Sequence, residues 1–168
     1  MGNKIRVNGV KLSRELIHIN ILPRPGKRNL NARFLQSMTE NRINLPFLSY
    51  SAMDRRVQGS FCIALEDSGR LNQILTLDPD LKESMECISP VGSVSLFPHK
   101  FSLRFFGCLL HVFGKAGLTL YGMAASLSAL TLTTDFQLLD RAVELIEPHI
   151  SLPPNHAPFG SQLRIKSI

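Results

Sequence analysis

Three cysteines and five histidines are the side chains most able to act as nucleophiles, bases or metal ligands. Cys62, Cys87 and Cys108 lie far apart and none belongs to a C-x-x-C pair. A disulfide scaffold and a structural zinc site are therefore disfavoured, and the usage fits a reducing cytosol. His18, His99, His111, His149 and His156 are scattered, whereas a metal centre needs three or four converging ligands. His111 falls on a predicted helix with no second ligand at i+4. Cys62 sits in a predicted strand and Cys108 in an apolar helix, which reads as two small core residues. Cys87 stands beside Glu86 and near Glu83, neighbours that raise a thiol pKa. Asp78 and Asp80 flank Pro79. Paired carboxylates can do acid–base work, but this D-P-D run reads as a linker turn. These residues predict no catalysis, no cofactor and no metal.

Charge gives a second candidate surface. The 168 residues carry 19 Lys and Arg against 13 Asp and Glu, a net of +6, with 44% apolar residues. That composition belongs to a folded chain of one or two domains. Residues 1–60 hold 11 basic and 3 acidic side chains, net +8, and the remainder 8 and 10, net −2. Arg24, Lys27, Arg28 and Arg33 cluster before and within the first helix. An anion or nucleic-acid surface is one reading, and a solvated loop and helix face is the favoured one. Single-strand binders add exposed aromatics for stacking. This chain has no Trp, and only Tyr50 and Phe61 suit that role in its first half.

The elements that must position these groups occur as the same unit twice. Ile17–Leu22, IHINIL, alternates as a strand. Pro23, Pro25 and Gly26 form a loop, Asn29 or Asn31 offers a helix N-cap, and Ala32–Asn41 is helical through Phe34, Leu35 and Met38. Leu45–Ser51 and Ser60–Leu65 read as strands joined by Met53–Gly59, and Leu71–Leu75 begins a short helix. The second pass runs from strand Gly92–Phe97, broken by Pro98, to helix Leu103–Lys115, with Ser102 as candidate N-cap and Gly117 as C-cap. Strands Leu118–Tyr121 and Ala129–Thr133, helix Phe136–Ile146 and strand Ile150–Leu152 follow. The expectation is an α+β chain of two ferredoxin-like βαββαβ units, each an antiparallel sheet with helices on one face. The first unit takes residues 1–88. The second takes 89–152, and 153–168 form a tail or edge strand.

Ala116–Thr134 runs 19 residues without a charge, close to a bilayer-spanning length. Leu118 and Leu120, then Leu130 and Leu132, alternate with polar residues, which predicts two strands rather than a spanning helix. The first 20 residues include Lys4, Arg6, Lys11, Arg14 and Glu15, so no secretory signal peptide is expected.

His111–Asp135, HVFGKAGLTLYGMAASLSALTLTTD, resembles a stretch of regulatory ACT domains, and most closely the tandem ACT region of aspartate kinases. Val7–Ile21 resembles the segment leading into the first such domain, and Pro25-Gly26 the Pro-Gly of its first loop. The likeness covers roughly Val7–Leu152, and it implies that residues 1–12 complete the second unit's sheet. It implies a small ligand, often an amino acid, bound where two such domains meet, by the loop after the first strand, the first helix N-terminus and the second strand. Carried over, it implies Lys27, Asn29 and Leu30 in the first unit, and Ser102, Phe105, Tyr121 and Ser126 in the second. Where lysine-sensitive aspartate kinases place an acid for the amino group, this chain has Pro46 and Tyr121, with no acid near them in sequence. No Gly-rich phosphate loop is present, and 168 residues leave no room for a kinase domain beside these units.

The leading functional expectation is therefore a non-catalytic, cytoplasmic, amino-acid-binding regulatory module, a homodimer with a possible enzyme partner. The alternatives are a ligand-free dimerisation or docking module and, third, an RNA-binding domain. No membrane association is expected, and nucleic acid is an unlikely partner.

Overall fold

The computed structural model describes residues 4–53, 56–99, 103–126 and 128–154. Along the chain lie β1 (Ile5–Leu12), β2 (Leu16–Ile21), α1 (Leu30–Glu40), β3 (Phe47–Met53), β4 (Arg56–Ala64), α2 (Ser68–Leu77) and α3 (Pro79–Ser84). There follow β5 (Met85–His99), α4 (Leu103–Lys115), β6 (Gly122–Ala125), β7 (Leu130–Asp135), α5 (Leu139–Ile146) and β8 (Ile150–Ser151). They form two compact units: Glu15–Val91, and the residues up to Arg14 together with those from Gly92 onward.

In the Glu15–Val91 unit the strands lie in the order β3-β4-β2-β5, each pair antiparallel. With α1 after the first strand and α2–α3 before the last, this is the ferredoxin-like arrangement. The alternation in β2 decides which face is covered. Ile17, Ile19 and Ile21 join Phe61 and Ile63 of β4 beneath Leu30, Phe34 and Met38 of α1, Leu71 and Ile74 of α2, and Leu81 of α3. Phe34 and Phe61 stack tilted with centroids 4.8 Å apart. The other side of β2 and β4 carries His18 and Cys62, both fully buried.

The second unit departs from a simple antiparallel sheet. Val94–His99 of β5 run antiparallel to β1, from Val7 opposite His99 to Leu12 opposite Val94. β1 also pairs with β8 in parallel, Ile5 with Ile150 and Arg6 with Ser151. β7 pairs with β5 and with β6. The N-terminal strand thus lies between the first and last strands of the βαββαβ unit, making its sheet mixed. Val7, Val94, Leu96, Leu130 and Leu132 pack under Phe105, Phe106, Leu109 and Phe113 of α4 and Leu139, Ala142, Val143 and Ile146 of α5.

Several boundaries move from the sequence expectation. β5 begins at Met85 and runs through Pro90 and Pro98, although prolines normally interrupt ladders. β3 and β4 reach Met53 and Arg56, which pair with each other. Most of Met53–Gly59, expected as connection, is therefore ladder. Leu118–Tyr121 is not a strand: Gly117 turns with φ 69°, and Leu118 N donates to Phe113 O at 3.0 Å, folding Leu118 back under the helix. The strand begins at Gly122 instead. Ser68–Leu77 exceeds the expected Leu71–Leu75, and α3 was not foreseen. Phe136–Leu138 is a 3-10 turn before α5. Residues 155–168 of the expected tail lie outside the described residues. Among the described residues, no helix is long and apolar enough to cross a membrane.

Two glycines test this packing in opposite directions. A Cβ on Gly92 would meet Leu139 Cδ1 at 2.5 Å, whereas one on Gly107 of α4 meets nothing within 4 Å. Gly92→Ala should cost roughly 1–3 kcal/mol by overpacking. Gly107→Ala should add roughly 0.5–1 kcal/mol by helix propensity. Urea unfolding of both variants against the parent checks the pair.

Candidate functional site

The candidate site is built on the start of α1. Pro23, Pro25 and Gly26 close β2 into an exposed loop, with Gly26 at φ 76°. Asn29 occupies the N-cap position but lies in the left-handed region (φ 60°), and its side chain makes no capping bond. Its carbonyl accepts the Arg33 amide at 2.9 Å. The amides of Leu30, Asn31 and Ala32 therefore start a helix that no side chain caps, leaving N–H donors and a partial positive charge at this end.

Beneath that turn sits Asn31, 7% exposed. Its Nδ2 donates to Val57 O at 3.5 Å, but its Oδ1 is buried without a hydrogen-bond partner. The adjoining strand makes room for it: a Cβ on Gly59 would stand 2.2 Å from Asn31 Oδ1. A buried acceptor without a donor costs about 1–3 kcal/mol, so this atom is held at a net expense to the fold.

A network of ion pairs fastens the loop. Lys27 Nζ donates to Asp80, and Arg33 donates to both Asp78 and Asp80. Arg24 donates to Glu83 O. Asp78 also accepts the Leu81 amide at 3.1 Å, capping α3. The D-P-D run is therefore no linker turn. It supplies a helix cap and the counter-ions for half of the basic cluster. Hydrogen bonds from Lys27, then from Arg33, hold the Asp80 carboxyl below its ordinary range, and the bond to Asp78 raises Arg33 further.

In the second unit Tyr121 O–H donates to Asp135 Oδ1 at 2.8 Å, and that bond raises the phenol pKa. An acid does stand near Tyr121, then, brought by β7 rather than by neighbouring sequence. Ser126 lies in the turn between β6 and β7, its Oγ accepting the Ala129 amide at 3.0 Å.

The residues carried over from the resemblance thus have different settings. Lys27 and Asn29 are exposed at the loop, while Leu30 and Phe105 point into the two cores. Ser102 lies outside the described residues. Asn31, Gly59, Asp78 and Asp80 join the first-unit site without having been singled out as ligand contacts. The signals in the sequence are Asn31 as a possible N-cap and the D-P-D pair of carboxylates, and nothing marks Gly59. Phe61, offered as a stacking aromatic, is fully buried, whereas Tyr50 is 57% exposed. Cys62 is a core residue with its thiol pushed up to about 12 by burial. Cys108 is not: it is half-buried against His149. Among the described residues, no three metal-ligating side chains converge.

On the face of β2 away from the helices, His18 Nε2 lies 3.2 Å from Asn20 Oδ1, which also accepts from Ser60 Oγ at 2.6 Å. Burial lowers the His18 pKa, partly offset by the Asn20 contact.

No protein-family model matches the sequence, and no curated protein matches it. Solved structures do. Aspartokinase alpha and beta subunits superpose with TM-score 0.71 at 14% identity, over 85% of this chain and 97% of theirs. The regulatory subunit of aspartate kinase from Thermus thermophilus, in its ligand-free form, gives 0.70 at 16%, over 86% and 99%. E. coli aspartokinase III in complex with lysine and aspartate gives 0.62 at 14%, over 90% of this chain and 35% of that one. The chain has the fold of an aspartate kinase regulatory region, two ferredoxin-like units with helices on one face of each sheet.

Asp78 and Asp80 predict separable effects. Asp78→Ala removes a cap as well as an ion pair and should cost about 1 kcal/mol or more in any buffer. Asp80→Ala should cost less, and its effect should vanish in high salt. Denaturation at two ionic strengths decides it. His18 predicts a pH dependence. Its folded pKa lies below the ordinary 6.5, so the unfolded chain binds the proton first. Its contribution is intact above 6.5 and is lost as pH falls from there through the lower folded value. Melting temperature followed from pH 8 to 5 should fall more steeply for the parent than for His18→Gln.

Proposed function

We propose that this chain is a non-catalytic regulatory module that binds a small α-amino acid at the start of α1 and acts, as a cytoplasmic homodimer, on a partner enzyme. The observation that carries the reading is the uncapped first turn of α1 above the unpartnered Asn31 Oδ1. Helix N-terminal amides suit a carboxylate, and a lone amide oxygen suits an ammonium donor. An α-amino acid offers both charges a few ångströms apart. Asp78 and Asp80, paired with Lys27 and Arg33, supply further groups of both signs beside the loop. The fold supports the regulatory part of the reading, since its structural neighbours include regulatory subunits of aspartate kinase. A ligand that prefers one packing of the protein would shift it toward that packing.

A second reading rests on β3. It is an edge strand, its sequence FLSYSAM has neither charge nor proline, and Leu48 and Tyr50 are exposed. Natural edges are usually blunted by charged side chains or proline, which β3 lacks, so β3 suits pairing with a second copy, with or without ligand.

The test is a thermal-shift screen against the proteinogenic amino acids, repeated on Asn31→Ala. One amino acid at 100-fold over its Kd should raise the melting temperature by roughly 5 °C or more. Asn31→Ala should fold with stability within about 1 kcal/mol of the parent, because losing the unsatisfied Oδ1 offsets losing the long Nδ2 bond to Val57 O, and should lose most of that shift. A flat screen with a stable dimer by sedimentation would favour the ligand-free docking module.

A further inference from the structure

Three groups meet over Gly59 on the helix-covered face of the Glu15–Val91 sheet. A Cβ there would stand 2.2 Å from Asn31 Oδ1 and 2.5 Å from Phe61 Cε2, so both occupy the space a side chain would take. The third group comes from the edge strand. Tyr50 of β3 is the cross-strand partner of Gly59, and Leu48 is the partner of Phe61. Paired residues point to one face of a sheet, about 5 Å apart. Phe61 packs beneath α1, so Leu48 and Tyr50 rise on the helix side of the sheet, next to the position that Asn31 fills. Neither joins the core cluster under α1. Leu48 is 47% exposed and Tyr50 57%, and together they make an apolar strip at the rim.

The ion pairs lie on the other flank of α1. Asn31 and Arg33 are two residues apart, roughly 200° around a helix. Arg33 meets Asp78 and Asp80 at the start of α3, and Lys27 joins them. On the Asn31 flank β3 reads FLSYSAM, without a charge. Its neighbours on the helix side of β4 are Val57, Gly59 and Phe61. Asn31 is 7% exposed, and its Oδ1 is an acceptor without a donor. One unmet polar atom therefore borders a surface that is otherwise apolar, Tyr50 hydroxyl apart.

We propose that this strip selects the ligand: the amino acid taken at the start of α1 has a large apolar side chain, aromatic or branched aliphatic, and Tyr50 sets that preference. The inference rests on the amino-acid site proposed above and adds the side-chain class to it. With the carboxylate at the α1 amides and the ammonium at Asn31 Oδ1, the side chain is left the β3 side, because Asp78 and Asp80 fill the Arg33 flank. There it lies over Tyr50 and Leu48 and takes apolar area of both partners out of water. An aromatic ring gains further by stacking on Tyr50. A charged side chain laid on the strip loses hydration and meets no counter-ion on it. A methyl group is too short to cover Tyr50.

The experiment measures dissociation constants from the backbone amide shifts of the full-length protein, titrated with L-phenylalanine, L-leucine, L-alanine and L-lysine. L-phenylalanine and L-leucine should bind about tenfold or more tighter than L-alanine and L-lysine. Tyr50→Ala should cut the preference for L-phenylalanine over L-alanine by about tenfold, and Tyr50→Phe should keep it. The preference is the readout because a variant that only weakened the fold or a dimer would lower both affinities together. Equal binding of all four, or tighter binding of L-lysine, with saturable shifts at Leu30, Asn31 and Ala32, would overturn the selectivity and leave the amino-acid site standing. So would an unchanged preference in Tyr50→Ala. Saturable binding of none of them would overturn the selectivity and the site together.

Discussion

The pairing of β1 is the constraint on which the second unit depends. β8 is two residues long, and its described ladder is the parallel pairing of Ile150 and Ser151 with Ile5 and Arg6. Val7 contributes a fully buried side chain to the core beneath α4 and α5. A parallel pair needs a crossover, and here almost the whole chain intervenes, including the Glu15–Val91 unit. Contacts of such sequence separation form late, because loop closure comes before any gain from the contact. Glu15–Val91 is continuous in sequence, and its core draws on neighbours such as β2, α1 and β4. The two units therefore differ in how much their folding depends on distant chain.

The electrostatics follow from the same topology. A cluster of cations within ten residues looks like a surface for anions. Folding brings Asp78 and Asp80 to Lys27 and Arg33, and the apparent surplus is partly spent inside the unit. What persists at the start of α1 is more specific than net charge: a helix without a side-chain cap and a buried amide oxygen without a donor. Neither favours stability. Features held at a cost to the fold are where binding is best sought.

Which parts were legible in the sequence follows from the range of the interactions. Helix α4 was legible to the residue, because Phe105, Phe106, Leu109 and Phe113 repeat at helical spacing and Gly117 closes it. IHINIL showed its buried face through alternation alone. The first part of β5 was hidden by its prolines, and α3 by a D-P-D run read as a turn, although an Asp cap followed by Pro at the first helical position is also a helix start. Tyr121 with Asp135, and Cys108 with His149, are contacts made by packing, which no local pattern encodes. Asn31 appeared as a possible cap, but its buried, unpartnered oxygen depends on the absence of a side chain at Gly59.

The central claim is that a small zwitterion is held by the first turn of α1. Backbone amide resonances of the ¹⁵N-labelled protein, followed while each α-amino acid is titrated in turn, test it most directly. The account predicts saturable shifts of the Leu30, Asn31 and Ala32 amides, with Gly59 moving in step, for one amino acid or a closely related group. Saturable shifts confined to other residues, or none from any amino acid, would contradict it.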